Sequence, residues 1–355
     1  MGEGEALFFM AEDGERFIVD ALGKVGLTAA DAKTVADLMI LTDRRGTDTH
    51  GIARLPIYAK GLQSAAINPT PRIHIAEEAP ATAVVDGDNG IGHLVMSFAA
   101  KLAIEKARAN GIGWVGTRMS NHAGAAAPYA MMPLAHDMIG LYLAVAEVNH
   151  MPPWGGIEPL LGTNPVAIAI PTLEEAPIVH DIATTVASNG RIGAAVAAGE
   201  AFPEGWMIDR AGNPITDPKR ASEGILLPIG GYKGYGLGLV FALMGGLLNG
   251  GPVGRDAGDP TTPRKPPART SQAVMALDIA RFGPAEEFKR GVDKFIREIR
   301  ASKPIPGQPP VRYPGERGHE KFIASGKNGI PLRKPVRAAL DALATNLGIE
   351  KLTLR

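Results

Sequence analysis

The stretch Ala81-Thr82-Ala83-Val84-Val85-Asp86-Gly87-Asp88-Asn89-Gly90-Ile91-Gly92 sets an apolar run and a glycine-rich turn ahead of a long amphipathic segment, roughly Leu94 to Ala109. This order predicts strand, turn and helix. It invites a reading as a dinucleotide fingerprint, but the spacing refuses it. The glycines fall as G-x-x-G-x-G, whereas a Rossmann turn needs G-x-G-x-x-G, with an acidic residue about 20 residues further on. Val115 to Arg118 offers no such carboxylate. If a dinucleotide binds this chain, it binds by another route.

Working outward, the N-terminal side predicts two helices, Asp13 to Val25 and Thr28 to Arg44. Thr28 is the N-cap of the second, Asp31 stands at the capping-box position, and Val35, Leu38, Met39 and Leu41 recur at helical spacing. On the C-terminal side come a strand at Gly113 to Thr117, a loop at Ser120 to Gly124 and an apolar run, Ile139 to Ala146. A glycine- and proline-rich stretch at Met151 to Pro165 has the composition of a binding loop. Strands are expected at Ala167 to Ile170, Pro177 to Ile182 and Ala273 to Ile279, and a surface helix at Ala285 to Arg300. Proline-rich stretches at Gly250 to Thr270 and Pro304 to Pro314 predict loops, the first a plausible domain crossing. The pattern is mixed α and β.

With 355 residues, 45% of them hydrophobic and 21% charged, the chain is globular and long enough for two domains. Thirty-seven basic and 37 acidic side chains cancel, so no global field gathers nucleic acid or an anionic membrane. Nucleic acid is excluded as an expected partner. The absence of cysteine rules out disulfides, thiolate nucleophiles and cysteine-ligated metals, and fits a reducing cytoplasm. Met1-Gly2-Glu3-Gly4-Glu5 before the short run Ala6 to Met10 lacks the features of a signal peptide, so export is not expected. Lys233 and Arg255 bracket 21 uncharged residues, eight of them glycine. That is spanning length, yet so many glycines predict a buried or interface helix rather than a membrane segment.

Three clusters could carry chemistry. In Thr47-Asp48-Thr49-His50-Gly51-Ile52-Ala53-Arg54, followed by Tyr58, a helix beginning near Gly51 would bring His50, Arg54 and Tyr58 to one face. A guanidinium can grip a carboxylate through two hydrogen bonds while an imidazole passes a proton to the adjacent carbonyl oxygen, and Thr49 could hold either the imidazole or that oxygen. The same residues also fit a helix start capped by Asp48 or Thr49 with an ordinary surface arginine. The loop Ser120-Asn121-His122-Ala123-Gly124 follows a strand, where His122 suits a cofactor or substrate contact and equally a structural role. Gly230-Gly231-Tyr232-Lys233-Gly234-Tyr235-Gly236 could cradle a phosphate or simply pack a helix tightly; it is not a Walker A loop, because Gly234 stands where serine or threonine is required. The remaining histidines, His74, His93, His136, His150, His180 and His319, have no metal-ligand spacing, so no metal is expected.

Taken in order, Asp48-Thr49-His50-Gly51, Ser120-Asn121-His122, Trp154-Gly155-Gly156, Leu161-Gly162-Thr163-Asn164-Pro165, Asp181-Ile182-Ala183-Thr184-Thr185, Leu227 to Gly236 and Tyr313-Pro314-Gly315-Glu316 resemble the malate/L-lactate dehydrogenase family over nearly the whole chain. The resemblance implies an α/β fold: a non-Rossmann cofactor domain with a mixed or mainly antiparallel sheet flanked by helices, plus a mainly helical second domain. Residues 77–267 would form the NAD(P)-binding part, and 1–76 with 268–355 the helical, substrate and dimerisation part. It further implies NAD or NADP as cofactor, a small carboxylate substrate and a homodimer. His50, with Thr49 and His122, would be catalytic, and Arg54, Tyr58 and Asn121 would bind substrate. Cofactor contacts would come from His122, Thr163, Asn164, His180, Asp181, Ile182, Ala183, Thr184, Thr185, Tyr232, Lys233, Gly234, Arg312, Pro314, Gly315, Glu316 and Arg317. Thr49 replaces a serine common in the family, Ala123 a bulky residue, and Glu147 sits where a lysine role would otherwise be carried over. The expected reaction is hydride exchange between NAD(P)H and C2 of a small 2-oxo acid, or of a cyclic imine acid. A non-catalytic binding protein on the same fold and a phosphate-ligand enzyme built on the Gly230 loop are the competing classes.

Overall fold

The structure, a computed structural model, describes residues 7–258 and 268–355. The loop expected over 250–270 and the acidic N-terminal residues therefore lie partly outside the described residues. The strands are β1 (Leu7–Phe9), β2 (His74–Glu78), β3 (Thr82–Asp86), β4 (Ile112–Ser120), β5 (Met138–Ala144), β6 (Val166–Ile170), β7 (Ile178–Ile182), β8 (Met207–Ile208), β9 (Ile225–Leu226), β10 (Thr270–Asp278) and β11 (Ile330–Leu332). The α-helices are α1 (Ala11–Lys24), α2 (Ala29–Arg44), α3 (Leu55–Gln63), α4 (Gly92–Asn110), α5 (Ala127–Met131), α6 (Asn189–Ala198), α7 (Tyr232–Gly245), α8 (Ala285–Ala301), α9 (Glu316–Asn328) and α10 (Lys334–Leu347).

Seven strands form one mixed sheet in the order β2-β3-β4-β10-β5-β6-β7. β3 and β4 run parallel and are joined through α4, as parallel neighbours require a crossover. The other pairs are antiparallel. The expected mixed or mainly antiparallel sheet flanked by helices is thus the observed one. β10, from the late part of the chain, fills the middle, with Val274 opposite Val115 on one side and Tyr142 on the other. Covered on both faces, it is built from Ala273, Val274 and Ala276, all fully buried.

Small residues let the helices lie close on this sheet. A side chain at Gly113 in β4 would meet the Ala103 carbonyl of α4 at 2.1 Å, and one at Gly140 in β5 would meet the Ala130 carbonyl of α5 at 2.0 Å. Val85, Val95, Met96, Val115, Tyr129 and Tyr142 fill the space between sheet and helices. A separate helical core gathers Phe17, Ile18, Leu22, Val35, Met39, Leu55 and Leu340 from α1, α2, α3 and α10. Thr28 caps α2 as its sequence predicts, its side chain accepting the Asp31 amide. Leu38 on α2 packs against the sheet core, so this one helix touches both units.

The uncharged helix is shorter than its uncharged run: α7 stops at Gly245 and a 3₁₀ turn, Leu247–Asn249, follows. Among the described residues no helix is long and apolar enough to cross a membrane. Gly234, Gly238, Ala242 and Gly245 form its inner face, while Leu237, Val240, Leu243, Leu247 and Leu248 remain exposed.

The glycine turn at 87–92 also has a packing explanation. The first turn of α4 presses on the loop after β4, where a Cβ on Gly92 would sit 2.2 Å from the Asn121 carbonyl oxygen. Gly92→Ala should therefore lower stability by about 1–3 kcal/mol, the usual cost of overpacking a tight contact, as read from chemical denaturation. An unchanged midpoint would show that this contact yields.

Candidate active site

Asp43, in the last turn of α2, lies beneath the turn that leads into α3. Its buried carboxylate accepts the Ile52 amide at 2.7 Å, and Gly51 sits so close that any Cβ there would fall 2.0 Å from Oδ1. Burial pushes this carboxyl up to about 8. Residues Ile52–Arg54 form one 3₁₀ turn and α3 continues it, with Pro56 tolerated in the first turn. The cap is therefore Asp43, not Asp48 or Thr49. Asp48 instead pairs with Arg333 at 2.8 Å, and Thr49 Oγ1 lies 2.8 Å from His50 Nδ1.

The turn directs its side chains into one cavity of about 430 Å³, lined by His50, Arg54 and Tyr58 with Asn121, His122, Glu147 and Thr163, and by apolar Ile57, Ile67 and Val148. The four-residue spacing read from the sequence does bring His50, Arg54 and Tyr58 together. Arg54 Nε donates to the Thr49 carbonyl at 2.9 Å, which fixes the plane of the guanidinium. The His50 and His122 rings stack with centroids 5.7 Å apart. Tyr58 Oη lies 2.6 Å from His122 Nδ1, and the Gly124 amide donates to the same nitrogen at 3.2 Å. Burial, with the Arg54 guanidinium adding to it, lowers His50 to about 4, so its neutral form dominates at neutral pH. Burial likewise drives the Tyr58 phenol upward, and it keeps its proton.

Asn121 lines the cavity, but its amide is committed elsewhere: Nδ2 donates to the Asn89 and Gly90 carbonyls at 3.0 and 2.9 Å. The same glycine turn thus shapes the His122 loop. Glu147 and the Ser188–Gly190 segment are pocket residues that sequence reading did not assign. Glu147 accepts the His122 amide at 3.1 Å, and a side chain on Gly190 would meet Thr49 at 2.9 Å. Both follow irregular stretches, where no periodicity marks which residue turns inward.

The segments expected to touch the cofactor adjoin one another along β7 rather than lining the cavity as a group. Thr163 is in the cavity wall, and its carbonyl accepts both the amide and the hydroxyl of Thr184. Asn164 is buried and ties the Ala146 amide to the Gly238 carbonyl. His180, Asp181 and Ile182 are in β7, where Asp181 accepts the Ala127 amide at 2.9 Å. Ala183 leads on to Thr184 and Thr185, which are buried; Thr185 forms a β-bridge with Pro228 and Thr184 accepts the Ile229 amide, just before α7. Tyr232 and Lys233 open α7, with Tyr232 exposed and Gly234 tight against the Ile229 carbonyl. At the other end of β7, the Pro314 carbonyl accepts the Val179 amide and Gly315 takes φ +95°, packed against Val179. Arg312 pairs with Glu320 and Glu316 with Arg300, while Arg317 lies in the first turn of α9. Among the described residues, no group of three or more His, Asp or Glu is arranged to hold a metal ion.

The malate/L-lactate dehydrogenase family model matches residues 9–341. A malate dehydrogenase from Pyrococcus horikoshii is 38% identical over 347 residues, 95% of this chain and 94% of that protein. An L-sulfolactate dehydrogenase from Methanocaldococcus jannaschii is 38% identical over 338 residues, 95% of this chain and 96% of that protein. The crystal structure of malate dehydrogenase from Entamoeba histolytica superposes with a TM-score of 0.91 at 29% identity, over 98% of this chain and 99% of that one.

Beneath the site, His93 packs edge-on to Tyr58 and its buried Nδ1 has no hydrogen-bond partner. Burial lowers it from 6.5 to about 3. The unfolded chain then binds more protons between those values, so this histidine's contribution to stability is present above pH 6.5 and lost as pH falls through about 3. His93→Phe should remove an acid-side slope of ~1.4 kcal/mol per pH unit from denaturation measured across that window. Equal slopes for the two proteins would place the proton on another group.

Proposed function

The chain belongs to the malate/L-lactate dehydrogenase family and is a nicotinamide-dependent oxidoreductase of the 2-hydroxy acid dehydrogenase type; on that premise we propose that His50 is its proton donor and acceptor and Arg54 its carboxylate anchor. The observation that carries this reading is the convergence of an imidazole and an oriented guanidinium on one cavity. The cavity suits a nicotinamide ring beside a small acid: it joins apolar Ile57, Ile67 and Val148 to few polar groups, and the bare Cα of Gly190 closes against Thr49 without filling it. When bound, the reduced cofactor supplies hydride to C2 of the acid.

The chain's own residues do the rest. Arg54 holds the carboxylate through its terminal nitrogens, because Nε is already committed to the Thr49 carbonyl. As C2 is reduced, the carbonyl π pair becomes a lone pair on oxygen. That oxygen takes the proton from His50, so an O–H bond forms as an N–H bond breaks. Thr49 holds Nδ1 of His50 and thereby aims the other ring nitrogen. In the reverse reaction, neutral His50 removes the hydroxyl proton. Thr163 and the segments His180 to Thr185, Tyr232 to Gly234 and Arg312 to Arg317 form our proposed track for the rest of the dinucleotide, supported by their contiguity along β7. We further place the enzyme in a reducing cytoplasm as a homodimer, with residues 77–267 as the cofactor-binding part. The exposed leucines of α7 and of the turn after it, among them Leu247 at 57% and Leu248 at 66%, support a covered face.

His50→Ala should lower turnover about 10²–10⁴-fold, while the fluorescence titration of NADH changes little. Arg54→Ala should raise KM for 2-oxo acids, and an unchanged KM would move the anchor elsewhere. The low proton affinity of His50 sets the sign of a pH profile. In the free enzyme, kcat/KM for reduction should rise about tenfold for each pH unit lost from neutrality toward 4, whereas oxidation of the 2-hydroxy acid should stay level over the same range. A reduction profile that is flat there would remove His50 from the proton step.

A further inference from the structure

We infer that the two stacked imidazoles divide the chemistry, with His122 held as a neutral Nε2–H donor that polarises the substrate oxygen and does not transfer its proton. This rests on the reading of His50 as the proton donor and deepens it.

The argument begins with what each ring nitrogen faces. A backbone amide can only donate, and the Gly124 N–H points at His122 Nδ1 from 3.2 Å. Nδ1 must then present its lone pair. Tyr58 Oη lies 2.6 Å from the same nitrogen and is itself a donor, because burial keeps the phenol protonated. Two donors on one nitrogen leave the ring proton on Nε2. Protonating Nδ1 would set an N–H against an amide N–H and against a hydroxyl that could reverse, so the imidazolium loses at least one of the two contacts.

His50 is held differently. Its Nδ1 faces Thr49 Oγ1 at 2.8 Å, a hydroxyl that donates to a bare nitrogen or accepts from a protonated one by rotation about its C–O bond. That partner tolerates both charge states, and the Gly124 amide tolerates one. The contrast selects His50 to gain and lose a proton and His122 to donate a fixed hydrogen bond. The groups around His122 are His50, Tyr58 and the Glu147 carboxylate that accepts its backbone amide, with Arg54 on the same cavity. Tyr58 and the Gly124 amide are positioning groups, acting through the tautomer they impose.

The test is the ¹⁵N–¹H spectrum of imidazole-labelled full-length protein, alone and with NADH, with the His122 signals assigned by their loss in His122→Gln. Near neutral pH the expected pattern is the neutral Nε2–H tautomer for His122 in both samples. A neutral Nδ1–H ring or an imidazolium would overturn the inference. Tyr58→Phe should shift the Nδ1 resonance of His122, since it removes one of the two donors. A merely structural tyrosine would leave that resonance in place. In the assay, His122→Gln puts an amide N–H near the position of Nε2 and should keep turnover within about tenfold, whereas His122→Ala should lose about 10²–10³-fold. Glutamine as inactive as alanine, with both variants folded and binding NADH, would overturn the donor role. The spectrum does not depend on turnover, so an altered tautomer with normal catalysis sinks this inference alone, whereas a wild-type protein that binds NADH and reduces no 2-oxo acid sinks the underlying reading as well.

Discussion

The site depends on the hydrogen bond from the Ile52 amide to the buried carboxylate of Asp43. An amide at the start of a helical turn has no partner within the turn, and here the partner comes from the end of the preceding helix. The carboxylate lies against the bare Cα of Gly51, so α2 and the turn before α3 meet at the position that separates His50 from Ile52. His50 precedes the contact and Arg54 follows it within one turn. One buried acid thereby sets the direction of two functional side chains, and its elevated proton affinity is the electrostatic cost of that placement.

A second constraint acts from the opposite wall. α4 begins at a glycine because the Asn121–His122 loop crosses its first turn, and the Asn121 amide secures that loop to the Asn89–Gly90 turn. β4 leads into the loop, and β4 is fixed by β10, which arrives from much later in the chain and pairs with it from Thr270 to Leu277. The Gln272 side chain continues this support, donating to the Asn121 carbonyl at 3.0 Å while Thr117 donates to its own carbonyl oxygen at 2.9 Å. The histidine of one wall thus depends on sheet pairing and the histidine of the other on helix packing. Tyr58 bridges the two walls through His122.

Much of this was legible in the residues. The helices at the N-terminus, the Thr28 cap, the strand–turn–helix after Ala81 and the spacing of His50, Arg54 and Tyr58 are local patterns, and local patterns survive folding when the apolar face they predict finds a core. The refusal of the Rossmann spacing was equally legible, and the structure supplies its reason: those glycines make room for a loop. Asp43 was not legible. A carboxylate at the end of a predicted helix looks like any solvated acid until the next turn is folded over it. Glu147 and Gly190 escaped for a related reason, since each follows irregular backbone whose inward side no periodicity reveals.

The amino-acid order by itself determined the elements, the class of fold and the kinship that names the chemistry, because capping, alternation and ordered motifs are written in near neighbours. Only the tertiary structure decided which late strand occupies the centre of the sheet, which acid lies under the catalytic turn, and which donors meet each imidazole. Those are contacts between residues far apart in sequence, such as Thr117 with Gln272 and Tyr58 with His122. Their free energy exists only once the intervening chain has paid the entropy of bringing them together.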